Sequence, residues 1–152
     1  MLRFKNLKIE NLSELIALEQ ECFKFPWHEK EYREEFEKRN SLIFGAFLRA
    51  HNKLIAALVA RHEKVIGECW IFKLMTNKKY RGRGVADLLL SQLEKPFAGS
   101  EILLEVNINN REAISLYEKN KYEITAKRPG YYPSLDLSSK KREDALIMRK
   151  LC

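Results

Sequence analysis

The chain has 152 residues, of which 45% are hydrophobic and 32% are charged. This is the composition of a globular protein, and the length suits one hydrophobic core, so we expect a single domain over residues 1–152. No apolar run reaches the roughly 20 residues of a membrane-spanning helix, and the first residues lack the apolar core of a signal peptide. We therefore expect a cytoplasmic protein with no membrane partner.

The net charge is +7, with 28 basic and 21 acidic residues. Such an excess suits a nucleic acid, a ribosomal surface or an acidic ligand as the partner. The basic residues are interleaved with acids along the chain, which argues against a nucleic-acid groove, so we expect that no direct nucleic-acid contact is required. A non-catalytic basic module that binds RNA or the ribosome stays open as an alternative.

The spacing of apolar residues predicts a mixed α+β chain. In chain order we predict helices from 11 to before Pro26 and at about 29–38, strands at 42–48, 54–61 and 69–76, a helix at 85–93, a strand at 102–106, a helix at 111–119 and strands at 122–127 and 145–151. The strand, helix and strand between residues 69 and 106 form a crossover unit, and we expect its two strands to be parallel.

Residues 80–86, Tyr-Arg-Gly-Arg-Gly-Val-Ala, open an apolar helix directly after a predicted strand. Gly82 and Gly84 permit a tight turn, and the first amides of the following helix have no carbonyl partner. The helix dipole favours an anion there, and Arg81 and Arg83 add positive charge. The segment lacks the Gly-Lys-Ser/Thr ending of a P-loop and the dinucleotide fingerprint. It predicts an anion-binding loop, with an ordinary turn and solvated arginines as the alternative.

Arg81, Gly84 and Ala86 satisfy the pattern Gln/Arg-x-x-Gly-x-Gly/Ala. The loop therefore resembles the coenzyme A pyrophosphate loop of the GNAT acetyltransferases. Residues 104–133 in turn resemble the C-terminal half of the RimI-type ribosomal-protein alanine N-acetyltransferases. The matching residues, in chain order, are Leu104-Glu105-Val106, Asn110, Ala113, Leu116-Tyr117 and Tyr131-Tyr132-Pro133. Two further elements of that family are matched by Pro26-Trp27 and Glu143-Asp144-Ala145.

One departure from the family concerns the turn after the predicted helix 111–119. Members usually have Gly-Phe where this chain has Lys121-Tyr122. A glycine helix cap is thus replaced by a residue that disfavours positive φ, although the neighbouring Asn120 tolerates it. The departure leaves the form of this turn open and does not bear on the chemistry.

The resemblance implies the GNAT fold, in which a mixed, mostly antiparallel central sheet with flanking helices has a splayed pair of parallel strands that admits acetyl-CoA. It also implies transfer of the acetyl group of acetyl-CoA to the α-amine of a protein N-terminus, with the N-terminal Ala of a small-subunit ribosomal protein as the acceptor. Other GNAT enzymes acetylate lysines, polyamines or other small amines on the same scaffold, and these acceptors stay open.

The resemblance also implies a catalytic pair. Glu105 would act as the base that removes a proton from the acceptor ammonium, and Tyr117 as the acid that protonates the departing coenzyme A thiolate. From the residues alone, Glu105 could instead cap a helix or pair with an arginine, and Tyr117 could be a core aromatic residue with a solvated hydroxyl. Whether Glu105 acts directly or through water also stays open.

Binding of acetyl-CoA would involve the backbone of one strand, the loop and one asparagine. These implied contacts are Leu74, Met75, Thr76, Arg81, Gly82, Arg83, Gly84, Val85, Ala86 and Asn110. For Asn110, capping of the next helix is an equally good interpretation. The three histidines are dispersed at predicted turns and the three cysteines have no C-x-x-C spacing, so we expect neither a metal site nor a disulfide framework.

Three aromatic residues would form the wall of the peptide groove: Trp27, Tyr131 and Tyr132. Packing beneath loops is the alternative for them. A basic peptide would need local acids to offset the positive charge of the chain, and the candidates are Asp136, Glu143 and Asp144.

Overall fold

The computed structural model describes residues 1–134 and 140–152. These residues form a seven-stranded sheet with four α-helices on its two faces. The strands are Leu2–Asn6 (β1), Ser41–Leu48 (β2), Lys53–Glu63 (β3), Glu68–Thr76 (β4), Glu101–Asn107 (β5), Glu123–Tyr132 (β6) and Glu143–Leu151 (β7). The helices are Leu12–Cys22 (α1), Glu29–Glu37 (α2), Val85–Glu94 (α3) and Arg111–Lys119 (α4). No helix of the described residues is long and apolar enough to span a membrane.

The strand order is β1-β2-β3-β4-β5-β7-β6. Neighbouring strands are antiparallel except β4 and β5, which are parallel and connected by α3. A parallel pair requires such a crossover, because the chain has to return to the same end of the sheet. The predicted mixed sheet with a parallel pair is therefore confirmed. The sequence prediction lacked β1, a five-residue edge strand that pairs with β2.

Two hydrophobic clusters lie on opposite faces of the sheet. Helices α3 and α4 contribute Leu89 and Tyr117 to one cluster, while α1 and α2 contribute Leu15 and Tyr32 to the other. Strand β3 lies between the clusters, and its residues from Leu54 to Ala60 are all buried. Burial on both faces explains why this strand is a continuous apolar run rather than an alternating pattern.

The parallel strands β4 and β5 pair along only part of their length. The register begins at Glu68↔Glu101 and ends at Ile71↔Leu104, although β4 continues to Thr76 and β5 to Asn107. The separation begins at a β-bulge, because β3 pairs with Ile71 and Lys73 and leaves Phe72 unpaired. A bulge bends and twists its strand. The expected splay is thus confirmed, and we call the opening between residues 72–76 and 105–107 the gap.

Two predicted element ends differ from the structure. Helix α1 ends at Cys22 rather than at Pro26, since Phe23 already has extended backbone (φ −122°, ψ 141°). Strand β6 continues past Lys127 to Tyr132. The Pro129-Gly130 pair predicts the end of the strand. The strand instead continues through a β-bulge, across which the register moves from Arg128↔Ala145 to Tyr132↔Glu143. Both tyrosines of the Tyr-Tyr-Pro segment therefore lie in a strand.

The turn after α4 keeps its shape despite the missing glycine. Lys121 has a φ of 74°, whereas Asn120 has a φ of −90°. The Tyr122 amide donates to the Tyr117 carbonyl at 3.0 Å, and the Lys121 amide donates to Glu118 at 3.0 Å. These bonds close the helix in the manner of a Schellman motif and require the left-handed residue at position 121. The tolerant Asn120 therefore does not take the positive φ, and Lys121 carries the strain.

Candidate active site

The loop between β4 and α3 has the geometry of an anion site. Gly82 and Gly84 have φ angles of 75° and 79°, and an added Cβ would meet nothing within 4 Å, so glycine is needed for conformation rather than for space. The first backbone bond of α3 is from the Leu88 amide to the Gly84 carbonyl, at 3.1 Å. The amides of residues 85–87 precede it and have no partner within the helix, so they are available to an anion.

The two arginines of this loop are exposed but differ in their contacts. Arg81 Nε donates to the Thr76 carbonyl at 3.0 Å, and this bond ties the loop to the end of β4. The guanidinium of Arg83 lies 5.5 Å from the ring centroid of Tyr80. Both residues belong to the loop that leads into α3, so they add positive charge near the end of the helix that the dipole already makes favourable for an anion.

Glu105 lies where the gap opens, as the first residue of β5 beyond the last pair with β4. Its side chain is 16% exposed, and its Oε1 pairs with Nη1 of Arg128 on β6 at 3.2 Å. Its Oε2 is buried and has no hydrogen-bond partner within residues 1–134 and 140–152. A buried carboxylate oxygen without a partner is rare in native proteins, and it points to a group that binds there.

Tyr131 and Tyr132 lie beside this carboxylate. Burial, the neighbouring negative charge of Glu105 and a side-chain hydrogen bond with Glu105 raise the pKa of Tyr131, and burial with the charge of Glu105 raises the pKa of Tyr132 to about 12. The two rings contact each other edge to face, with centroids 4.8 Å apart, and the Arg128 guanidinium lies 4.9 Å from the Tyr131 centroid. The structure therefore brings three predicted site residues, Glu105, Tyr131 and Tyr132, into one cluster with Arg128.

Tyr117 approaches the same region from the other face of the sheet. It packs in one hydrophobic cluster with Leu104 and Val106, so Glu105, which lies between these two residues on β5, points to the opposite face. Burial, with a smaller effect of Tyr132, raises the pKa of Tyr117 above its ordinary value. The phenol therefore stays protonated at neutral pH. A ligand that passes through the gap would have Glu105 on one side and Tyr117 on the other.

Leu74, Met75 and Thr76 border the gap on β4, beyond its last pair with β5. Leu74 packs against one hydrophobic cluster and Met75 is buried in the other, so their side chains point away from the gap on opposite faces. The backbone of this segment is what faces the gap. Asn110 does cap its helix, because its Oδ1 accepts from the Ala113 amide at 3.2 Å.

Trp27 lies apart from the tyrosine cluster. It follows α1, and its ring packs edge to face against Tyr32 with centroids 5.3 Å apart. Within the described parts of the chain, no ring contact joins it to Tyr131 or Tyr132. The three aromatic residues of the predicted groove therefore form two separate groups, one on the α1 side and one on the β6 side.

The acids expected to attract a peptide are engaged in internal contacts. The amide of Gly130 and the ammonium of Lys127 lower the pKa of Asp144, at 2.9 Å and 3.2 Å respectively. Glu143 accepts from the side-chain amide of Asn107. Asp136 lies outside the described residues. Asp144 therefore joins β7 to β6, and Glu143 joins β7 to the end of β5.

Sequence reasoning missed Arg128 and Phe72. Arg128 reaches Glu105 because β7 pairs with both β5 and β6, so its place depends on two registers between distant segments. The gap starts at Phe72 because β4 has a bulge there, and no residue pattern in β4 predicts that bulge. A run of apolar residues shows that β4 is a strand, but the position of a bulge depends on its neighbours.

Comparisons with known proteins agree with this geometry. The family model described as "Acetyltransferase (GNAT) family" matches residues 12–122. A [ribosomal protein bS18]-alanine N-acetyltransferase of Escherichia coli (strain K12) is 31% identical over 147 residues, which cover 94% of this chain and 93% of that protein.

Solved structures of acetyltransferases are also similar to this chain. The ribosomal-protein-S18-alanine N-acetyltransferase from Escherichia coli is similar with a TM-score of 0.87 and 28% identity, covering 98% of this chain and 92% of that one. Arabidopsis thaliana Naa50 in complex with a bisubstrate analogue, CoA-Ac-MVNAL, has a TM-score of 0.81 and 22% identity, with 99% of each chain covered. At that identity the second likeness concerns the fold alone.

Proposed function

The chain belongs to the GNAT family of acetyltransferases, and we propose that it transfers the acetyl group of acetyl-CoA to the α-amine of a protein N-terminus. The observation that carries this proposal is the buried, unpaired Oε2 of Glu105 at the opening of the gap. The acceptor we propose is the N-terminal Ala of a small-subunit ribosomal protein, because the similar Escherichia coli enzymes are alanine N-acetyltransferases of bS18. The proposed location is the cytoplasm.

Acetyl-CoA would bind with its pyrophosphate at the start of α3. The free amides of residues 85–87, the helix dipole and the charges of Arg81 and Arg83 all favour an anion there. The pantetheine chain would then lie along the gap beside the backbone of residues 74–76. In this position the thioester lies between the two strands, within reach of both faces of the sheet.

The reaction requires the loss of a proton from the acceptor, because an ammonium has no lone pair with which to attack a thioester. Glu105 would accept that proton through its unpaired Oε2. The free amine would then attack the thioester carbonyl, and a backbone amide of β4 would stabilise the oxyanion that forms. As the carbon–sulfur bond breaks, Tyr117 would donate its proton to the coenzyme A thiolate. The attacking nitrogen would lose its second proton to solvent, and Tyr117 would regain a proton from solvent, so that the products are the acetylated amine and the coenzyme A thiol.

The surroundings of Glu105 support a peptide rather than a polyamine as the acceptor. A polyamine carries several positive charges and would need several free carboxylates near the site. Of the described acids near the tyrosines, Glu105 faces Arg128 and Asp144 faces Lys127. The aromatic rings of Tyr131 and Tyr132 instead provide a rigid wall for an extended chain that enters amine first.

A panel of acceptors tests this proposal. The panel contains basic peptides that begin with Ala, the same peptides blocked at the α-amine but carrying lysine, and spermidine, and mass spectrometry reports the acetylated products. We expect acetylation of the free Ala-initiated peptides. Preferential acetylation of the blocked peptides or of spermidine would contradict the α-amine assignment while leaving the fold and the family in place.

The rival from another class, a non-catalytic module that binds RNA, makes different predictions. It requires an RNA affinity that falls steeply with salt and no response to acetyl-CoA. The proposed enzyme should instead gain thermal stability in acetyl-CoA, by about 2.7 kcal/mol at a ligand concentration about 100 times its Kd. If millimolar acetyl-CoA does not stabilise the protein, the proposed enzymatic function is contradicted.

A further inference from the structure

A fully buried carboxylate lies at the end of α1. Glu19 is 0% exposed, and three donors from different parts of the chain surround it. Its Oε1 accepts from the Tyr32 hydroxyl on α2, and its Oε2 accepts from the Trp27 amide at 3.2 Å and from Lys73 Nζ on β4 at 2.6 Å. Glu19 thus joins α1, α2, the segment between them and the central sheet at one point.

Lys73 is held on two further sides. Its Nζ lies 4.7 Å from the ring centroid of Phe23 and 4.6 Å from that of Trp27, and its side chain is only 11% exposed. Removing two charges from water is costly, and well-packed apolar residues often replace a buried ion pair without loss of stability. Stability therefore gives a weak reason for this arrangement, whereas the fixed geometry of the three residues around the pair, Tyr32, Trp27 and Phe23, gives a stronger one.

The position of Lys73 on β4 links this cluster to the gap. Lys73 follows the bulge at Phe72 and directly precedes residues 74–76, which border the gap. A second contact lies at the end of the same stretch, where Cys22 Sγ donates to the Thr76 carbonyl at 3.3 Å. The end of α1 and the segment 23–28 are thus attached at two points to the stretch of β4 along which acetyl-CoA would bind.

We propose that the Glu19–Lys73 pair is a positioning device for the acceptor site. It holds segment 23–28, which carries Trp27, at a set distance from the strand that holds the thioester. An acceptor peptide lying against this segment meets the acetyl group only if the two substrates are held in register. The identity of the acceptor rests on the proposed function, whereas the positioning of segment 23–28 does not.

The test compares two lysine variants. Lys73→Met removes the ammonium and keeps the length of the side chain. Lys150→Met is the matched control, because Lys150 pairs with Glu94 at 2.8 Å, is 22% exposed and lies 5.7 Å from the ring centroid of Tyr122. Its partner lies on α3 rather than on α1. Both variants lose a lysine and an ion pair, and Lys73→Met loses contacts with two aromatic rings where Lys150→Met loses one.

We expect Lys73→Met to raise KM for an Ala-initiated peptide by about tenfold or more, with a smaller change in kcat and with Kd for acetyl-CoA within about twofold of the wild type. In Lys150→Met, the peptide KM and the Kd for acetyl-CoA should both stay within about twofold of the wild-type values. An unchanged peptide KM in Lys73→Met, or an equal rise in both variants, would overturn the proposal.

Two further measurements keep the proposal testable if Lys73→Met folds poorly. The double variant Glu19→Gln/Lys73→Met leaves no buried charge unpaired and should still raise the peptide KM. Hydrogen exchange gives a readout that needs no acceptor: amides of residues 23–28, including that of Trp27, should exchange faster in either variant and not in Lys150→Met. Unchanged exchange would overturn the positioning role. A wild type that acetylates no α-amine would instead contradict the proposed function.

Discussion

Arg128 on β6 binds one oxygen of Glu105 on β5, and the other oxygen of this carboxylate is buried without a partner in the described part of the chain. The ion pair, together with the side-chain hydrogen bond of Tyr131, restrains the rotation of a side chain that would otherwise turn about three bonds. It therefore sets the direction in which Oε2 faces. In the proposed reaction, this direction decides whether the base reaches the acceptor ammonium.

The variant Arg128→Met should lower kcat by about tenfold or more, because a base displaced by about 1 Å from its productive position loses much of its effect. The affinity for acetyl-CoA, measured by calorimetry, should not change. A suitable control is Arg149→Met, since Arg149 on β7 pairs with Glu101 on β5 at 2.8 Å and has a similar exposure. An equal loss of kcat in both variants would contradict a specific role of Arg128.

The proposed catalytic pair predicts two variants with the same kinetic signature. Glu105→Gln removes the base and Tyr117→Phe removes the acid, so each should lower kcat by about 100-fold or more. Both keep the shape of the side chain, and the Kd for acetyl-CoA should stay close to that of the wild type. Steady-state kinetics and a binding titration check this prediction. Rates like those of the wild type would return both residues to structural roles.

Two glycine variants should lose stability to a similar extent, but only the one in the loop before α3 should weaken the binding of acetyl-CoA. Gly84→Ala places a Cβ on a residue with a φ of 79°, which should cost about 1–2 kcal/mol of folding free energy and weaken acetyl-CoA binding. Gly99→Ala is the control, because Gly99 has a φ of 87° and equally open surroundings but lies before β5, away from the loop. Both variants should lose stability in urea. If Gly99→Ala weakens acetyl-CoA binding as much, the loop is not the anion site.

The left-handed lysine after α4 predicts a stabilising substitution. Lys121→Gly should raise the free energy of unfolding by about 1 kcal/mol, because glycine adopts a φ of 74° without strain. Asn120→Gly is the control and should not stabilise, since Asn120 has a φ of −90° and its side-chain amide donates to Asp87 and to the Leu116 carbonyl, each at 2.8 Å. Urea unfolding measures both, and a less stable Lys121→Gly would contradict this account.

Features that depend on neighbouring residues could be predicted from the sequence, and features that depend on distant registers could not. The residue patterns of the strand, the glycine turn and the helix around Gly84 all lie within one short segment, so the sequence predicts the loop and its crossover. The contact of Arg128 with Glu105 requires β7 between the two strands, and the bulge at Phe72 requires β3 beside β4. Neither has a local signal. At the end of α4, the closing hydrogen bonds place the positive φ at Lys121, although Asn120 would tolerate it better.

The measurement that tests the central claim most directly locates the acetyl group within one molecule that offers both kinds of amine. A basic peptide that begins with Ala and carries an internal lysine is incubated with the enzyme and acetyl-CoA, and tandem mass spectrometry identifies the modified residue. The account predicts acetylation of the α-amine of the first residue, with loss of this product in Glu105→Gln. An acetyl group found on the lysine, or a product formed equally well by Glu105→Gln, would contradict it.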